Sequence, residues 1–173
     1  MSWIEAVFSL GAALKELRRE GWVRRGVAGP ESVADHSYSL ALLSMLVAAE
    51  RGLDPFRAAA IAVIHDLAEV ITGDLPPDEK SRGGDYVLVE KEAMRRIAES
   101  LPERACSLVQ RLYEEYASQS SEEARLVKQL DKLEMAFQSI RYEREGRGSK
   151  GLAREFTKSA LEEIIDPDLR GLL

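Results

Sequence analysis

Apolar residues recur at three- and four-residue steps along most of the chain, with charged or small residues between them. Ile4, Val7, Leu10, Leu14 and Leu17 form the apolar face of a first helix that Ser2 can cap and Gly21 stops. Residues 21–30 read as a loop, because glycine and proline punctuate them; Trp22, Arg24 and Arg25 lie there. Ser32 and Asp35 have the spacing of a capping box and open a helix to Arg51, whose inward stripe holds His36, Leu40, Leu43 and Val47. Asp54-Pro55 supplies a cap and a first-turn proline for the next helix. The pattern carries that helix through Ile64, Leu67, Ala68 and Ile71 to Thr72-Gly73, with Asp74 in the turn beyond.

Leu75-Pro76-Pro77 then extends the chain, and residues 78–84 read as a surface loop. Asp85 can cap a helix to Ser100 whose apolar side is Val89, Ala93, Met94 and Ile97. Tyr86 to Val89 could pass for a strand, but no second strand is available to pair with it. Pro102 starts a short helix ending near Tyr116. The longest helix runs from about Ser121 to Glu145, with Val127, Leu130, Leu133, Phe137 and Ile140 inward. Residues 146–151 break the chain, and a last amphipathic helix spans Leu152 to Ile165. The expected fold is all-α, one compact bundle of about six to seven helices, and 173 residues suffice for a single domain with a real core.

Composition narrows the function classes. The chain is 45% hydrophobic and 31% charged, a soluble globular balance. A net charge of -6 argues against a nucleic-acid polymer as partner, yet leaves room for one small phosphate ester in a metal-lined pocket. The single Cys106 cannot form an internal disulfide and suits a reducing compartment. The start lacks the pattern of a signal peptide, and the longest apolar run, Leu40 to Ala49, is interrupted by Ser44 and falls short of the about 20 residues a bilayer span needs. The expected location is cytoplasmic, with no membrane partner. The chain has no asparagine and only four glutamines, a depletion of heat-labile side chains that points to a hot-growing source.

The chemistry concentrates in Ile64 to Asp74, where a histidine and three carboxylates interrupt an apolar helix pattern. On a continuous helix, Glu69 would share a flank with His65 and Asp66. Buried polar groups need hydrogen bonds and buried charges need counter-charges. A divalent cation would satisfy His65 and Asp66 together, and so would an ordinary salt-bridge network. An inward histidine such as His36 is ordinarily a hydrogen-bonded core residue, and Asp131, with Lys128 and Lys132 nearby, is ordinarily a paired surface charge. There is no His-Glu-x-x-His pair, no paired-cysteine zinc site, no phosphate-binding Gly-x-x-x-x-Gly-Lys loop and no Gly-x-Ser-x-Gly elbow. The remaining set, His36, His65, Asp66 and Asp131, offers two imidazoles and two carboxylates, which suits Mn, Co, Fe or Ni with open positions for water.

The order His36, His65-Asp66, Asp131 resembles the pattern of the HD-domain metal-dependent phosphohydrolases. The longer set Gly21-Trp22-Val23, Pro30 to His36, His65 to Glu69, Gly73 to Pro76 and Leu126 to Lys132 is similar to their 5'-deoxynucleotidase subgroup. The match runs over about residues 22–145, leaving 146–173 as a C-terminal helix. The resemblance implies a mononuclear divalent-metal site ligated by His36, His65, Asp66 and Asp131, and hydrolysis of deoxyribonucleoside 5'-monophosphates to deoxynucleoside and phosphate. It implies that Glu69 or Asp74 positions or deprotonates the attacking water, that Trp22 packs near the sugar, and that the protein is a homodimer. The family's bacterial branch has an arginine directly before the tryptophan, where this chain has Gly21; Arg18, Arg24 and Arg25 are near enough to grip the phosphate, Arg25 standing where the Gly-Trp branch has an arginine. Two rival readings are an HD-type hydrolase of cyclic nucleotides, guanosine polyphosphates or nucleoside triphosphates, and a non-enzymatic helical module in which His65 and Asp66 are merely salt-bridged.

Overall fold

The computed structural model describes residues 2–75 and 86–173, and every regular element among them is a helix. In chain order these are α1 (Trp3–Glu16), α2 (Glu20–Val23), α3 (Val33–Glu50), α4 (Pro55–Ile64), α5 (Glu69–Thr72), α6 (Tyr86–Glu99), α7 (Glu103–Ser118), α8 (Glu122–Arg144), α9 (Leu152–Glu163) and α10 (Pro167–Arg170). The expected loop 78–84 and the expected cap Asp85 lie outside the described residues.

The long helix α8 is the axis of the fold: α3, α4, α7, α9 and α10 all pack against it. α3 and α4 lie along one another, and small fully buried Ala58 and Ala62 on α4 permit that close approach. Leu40, Ile61, Val127, Leu130 and Leu133 fill the space between these helices. Each such side chain contributes roughly 1.5–3 kcal/mol by leaving water. Local chemistry sets the boundaries. Ser32 and Asp35 form the reciprocal capping box of α3, Asp54 accepts from the backbone of Phe56 and Arg57 ahead of Pro55, and Ser121 caps α8.

Six features depart from the sequence pattern. The expected loop over 21–30 contains α2, a single turn that buries Trp22. The helix expected to run unbroken to Thr72 ends at Ile64 and resumes at Glu69; between them Leu67 donates to Ile64 and Glu69 to Asp66, the tighter three-residue spacing. The apolar face of α1 is largely uncovered, with Ile4 and Phe8 62% and 73% exposed, and only Leu14 of that helix is buried. Phe137, expected inward on α8, is 40% exposed because its neighbours Ala136 and Ser139 take the inner positions instead. α7 also continues past Tyr116 to Ser118, and an extra turn, α10, follows the Asp166 cap. No helix among the described residues is long and apolar enough to cross a membrane.

Candidate metal centre

Three helices and two connecting turns meet at one buried cluster. His36 lies on the first turn of α3, where the capping box fixes the direction of entry, and its side chain is fully buried. His65 is the C-terminal cap of α4, 2% exposed, with Nδ1 2.7 Å from the carbonyl oxygen of Ala62. Asp66 follows in the tightened turn, and Asp131 comes from the middle of α8. The break after Ile64 directs His65 and Asp66 to the same point: His65 Nε2 lies 2.9 Å from Asp66 Oδ2. His36 Nε2 is 3.2 Å from Asp131 Oδ1 and 3.8 Å from Asp66 Oδ2.

Donor atoms of His36, His65 and Asp131 all lie within 4.8 Å of one another. Both Nε2 atoms are buried and neither makes an aligned hydrogen bond, although carboxylate oxygens stand close by. Two imidazoles and the Asp131 carboxylate so grouped could hold a metal ion, with Asp66 beside them, whereas a salt-bridge network would align its hydrogen bonds.

The electrostatics agree. Burial and the Arg19 charge oppose an imidazolium at His36, but the Asp131 and Glu134 carboxylates outweigh them and lift its pKa to about 10. Burial raises Asp131, yet Lys132 and then the two histidines hold it well below the usual carboxylate range. Burial would also raise the half-buried Asp66, but His65 first and then Arg19 and His36 hold it below the usual carboxylate range. The pocket concentrates negative charge and favours a cation.

A second layer surrounds these groups. Glu134, one turn beyond Asp131 on α8, sets Oε2 2.8 Å from His36 Nδ1. Glu31 accepts a 2.8 Å hydrogen bond from the indole Nε1–H of Trp22. Burial and then the Glu134 charge push the Glu31 carboxyl up to about 7. The ring of Tyr116 on α7 stands edge-on to His65 at 5.3 Å between centroids, which closes the α7 side.

The remaining sequence-predicted residues fall in different places. Glu69 is buried at the start of α5, close enough for its charge to act on Arg19. Asp74 follows Gly73, whose positive φ of 75° turns the chain back so that Asp74 Oδ2 accepts from the Glu20 backbone N–H at 2.6 Å. Trp22 is 1% exposed and packed on Tyr142 and Phe156. Arg25 pairs with Glu155 and lies over the Phe156 ring, and Arg18 donates to the Pro30 carbonyl at 3.2 Å. The arginine that does enter the site is Arg19: its Nη1 lies 3.2 Å from Asp66 Oδ2 and 3.7 Å from Asp74 Oδ1. Sequence reasoning passed it over, since it sits in an undistinguished Arg-Arg-Glu run; its place three residues before Trp22 is the only signal that marks it.

A cluster of this kind on an all-helical frame defines a class, and the HD-domain family model matches residues 11–171, so the chain belongs to the HD-domain family, a family of metal-dependent enzymes. Its relatives narrow the class. Over 156 residues the chain is 39% identical to the 5'-deoxynucleotidase HDDC2 of Mus musculus, covering 90% of this chain and 77% of that one. It is 39% identical over 145 residues to the 5'-deoxynucleotidase hdd1 of Schizosaccharomyces pombe, covering 82% and 73%. Among solved structures, a Pyrococcus horikoshii protein superimposes with a TM-score of 0.78 at 34% identity, covering 97% of this chain and 92% of that one.

Proposed function

We propose that this protein is a 5'-deoxynucleotidase that hydrolyses deoxyribonucleoside 5'-monophosphates to deoxynucleoside and phosphate. The grouping of His36, His65 and Asp131, with Asp66 2.9 Å from His65, supports the reading, in a chain whose relatives bear that name. We assign those four side chains as ligands of one divalent ion, and the mixed nitrogen and oxygen donors favour Mn, Co, Fe or Ni. Such an ion supplies a water of lowered pKa and neutralises charge on the phosphate oxygens.

The protein's own residues do the rest. Glu69, buried beside the cluster and not counted among the ligands, orients the attacking water and takes its proton. Asp74 holds the start of α2 through the Glu20 N–H and is the second choice as base. Arg19 is assigned the phosphate: it is the guanidinium facing Asp66, whereas Arg18 and Arg25 are engaged elsewhere. Its planar fork suits two phosphate oxygens at once. The preference for a deoxy sugar rests on the names of the relatives.

We further propose a homodimer in which a second copy covers the apolar face of α1. Ile4, Val7 and Phe8 lie exposed there, and Tyr38, Leu42 and Leu46 are exposed on α3, against which α1 packs. Sedimentation of the purified chain, and of a Phe8→Asp variant expected to be monomeric, tests this. A cytoplasmic location fits the free Cys106. The activity is tested by assaying protein loaded with Mn or Co on matched deoxyribo- and ribonucleoside monophosphates. Phosphate release from the deoxy substrates, lost in Asp66→Ala, is expected; equal rates on both sugars would remove the deoxy assignment.

A further inference from the structure

The two histidines of the cluster are held from behind in different ways. The Nδ1 atom of His65 faces a neutral carbonyl, that of Ala62. The Nδ1 atom of His36 faces a carboxylate, that of Glu134, at 2.8 Å inside a fully buried environment. A carboxylate accepts, so this contact keeps a hydrogen on His36 Nδ1, and it is Nε2, facing Asp131 and Asp66, that gives up its proton to become a donor atom. Asp131 and Glu134 are three residues apart on α8 and share a face. One helix therefore grips the His36 ring from both edges, with Asp131 at Nε2 and Glu134 at Nδ1.

A third carboxylate belongs to the same arrangement. Carboxylate oxygens of Glu31 and Glu134 and a ring nitrogen of His36 lie within 4.8 Å of one another. Glu31 is tied down twice: Trp22 Nε1–H donates to its side chain at 2.8 Å, and its own backbone N–H donates to the Tyr142 hydroxyl at 2.8 Å. Trp22 is in turn locked by Tyr142 and Phe156, with ring centroids 5.3 and 4.3 Å away. Its buried indole is thus tied by a hydrogen bond to Glu31, which lies beside Glu134.

We propose that Glu134 is a positioning residue for the metal centre, setting the tautomer, orientation and donor strength of His36, and that Trp22 and Glu31 brace Glu134 from behind. The inference rests on the reading of His36 as a metal ligand. A carboxylate behind a ligating imidazole fixes the ring and raises its basicity, and losing such a partner typically weakens metal binding 10–100-fold. A buried acid that merely filled space would leave both affinity and ligand field unchanged.

The test uses the full-length protein stripped of metal and titrated with Co(II), read by calorimetry and by the visible absorption of the bound ion. Glu134→Ala is expected to weaken Co(II) binding about 10–100-fold and to shift the absorption bands. Glu134→Gln keeps an acceptor without the charge and is expected to fall between this variant and wild type. It also decides the question if the alanine variant does not fold. Trp22→Phe, which keeps the packing but lacks the N–H, is expected to give a smaller loss in the same direction. Wild-type uptake of Co(II) with affinity and spectrum unchanged in Glu134→Gln and Glu134→Ala would overturn this inference alone. A wild-type protein that takes up no Co(II) would overturn it together with the metal-site reading.

Discussion

The guanidinium of Arg19 lies 3.2 Å from Oδ2 of Asp66, the same oxygen that His65 Nε2 approaches to 2.9 Å. A half-buried arginine and the side chains that would hold a metal therefore meet at one carboxylate. Burial would lower the pKa of Arg19, but Asp66, Asp74 and Glu69 together raise it above its ordinary value, so it stays charged. The pair places a fixed positive group beside the side chains that would hold a metal, where it could bind phosphate oxygens.

Replacing Arg19 tests that arrangement. Arg19→Ala leaves Asp66 and Asp74 without their half-buried counter-charge and is expected to cost about 3–5 kcal/mol in metal-free protein. The cost should be smaller with saturating Mn, since a bound cation compensates Asp66. Arg19→Lys keeps the charge but loses the fork, so KM should rise more than kcat falls. Denaturant melts with and without Mn, alongside steady-state kinetics, check both. Equal destabilisation in the two conditions would separate Arg19 from the metal cluster.

Metal loading should release protons. With its pKa raised to about 10, His36 is imidazolium in the metal-free protein at neutral pH and must lose that proton to ligate. In metal-free protein the raised pKa contributes stability that is complete below about 6.5 and is lost as pH rises through about 10. Metal affinity runs the opposite way and climbs about tenfold per pH unit across that window. Calorimetry at pH 8 in buffers of different ionisation enthalpy should report about one proton released.

Glu31 gives a stability prediction of its own. Its folded-state pKa of about 7 lies above the ordinary 4.5, so its contribution is fully present below pH 4.5 and is lost as pH rises through 7. Glu31→Gln keeps the acceptor for Trp22 and cannot ionise. Relative to this variant, metal-free wild type should lose about 2–3 kcal/mol between pH 4.5 and 8.5. Denaturant unfolding of both proteins across that range measures the difference; parallel curves would place Glu31 in a solvated environment.

The absence of asparagine and the ion-pair cluster of Glu92, Arg95, Arg96 and Glu99 on α6 lead to an expectation about heat. The thermal midpoint of the metal-loaded protein should exceed about 65 °C, the upper end for mesophilic domains. Chelation should lower it, because a ligand bound only to the folded state adds to its stability. A calorimetric scan before and after chelation checks both statements.

Much of the architecture was legible in the residue pattern because helices are decided locally. Spacing of apolar positions, the Ser32 and Asp35 box, the Asp54-Pro55 start and the Ser121 cap act within a turn or two of themselves, and the observed boundaries fall at or near them. The sequence also exhibited the order His36, His65-Asp66, Asp131, since that order is a matter of residue identity alone. Periodicity reports that a face is apolar without saying what covers it, and so the open face of α1 was invisible. Nor could it show the break between Ile64 and Glu69, which depends on what His65 and Asp66 meet across the fold. Arg19 looked like any charge in a basic run until packing set it against Asp66, and the pattern left Trp22 open between a lid on the core and a ligand-facing aromatic until Tyr142 and Phe156 were seen to enclose it. Which buried groups become partners is a long-range choice made by the whole core at once, and only the tertiary structure records it.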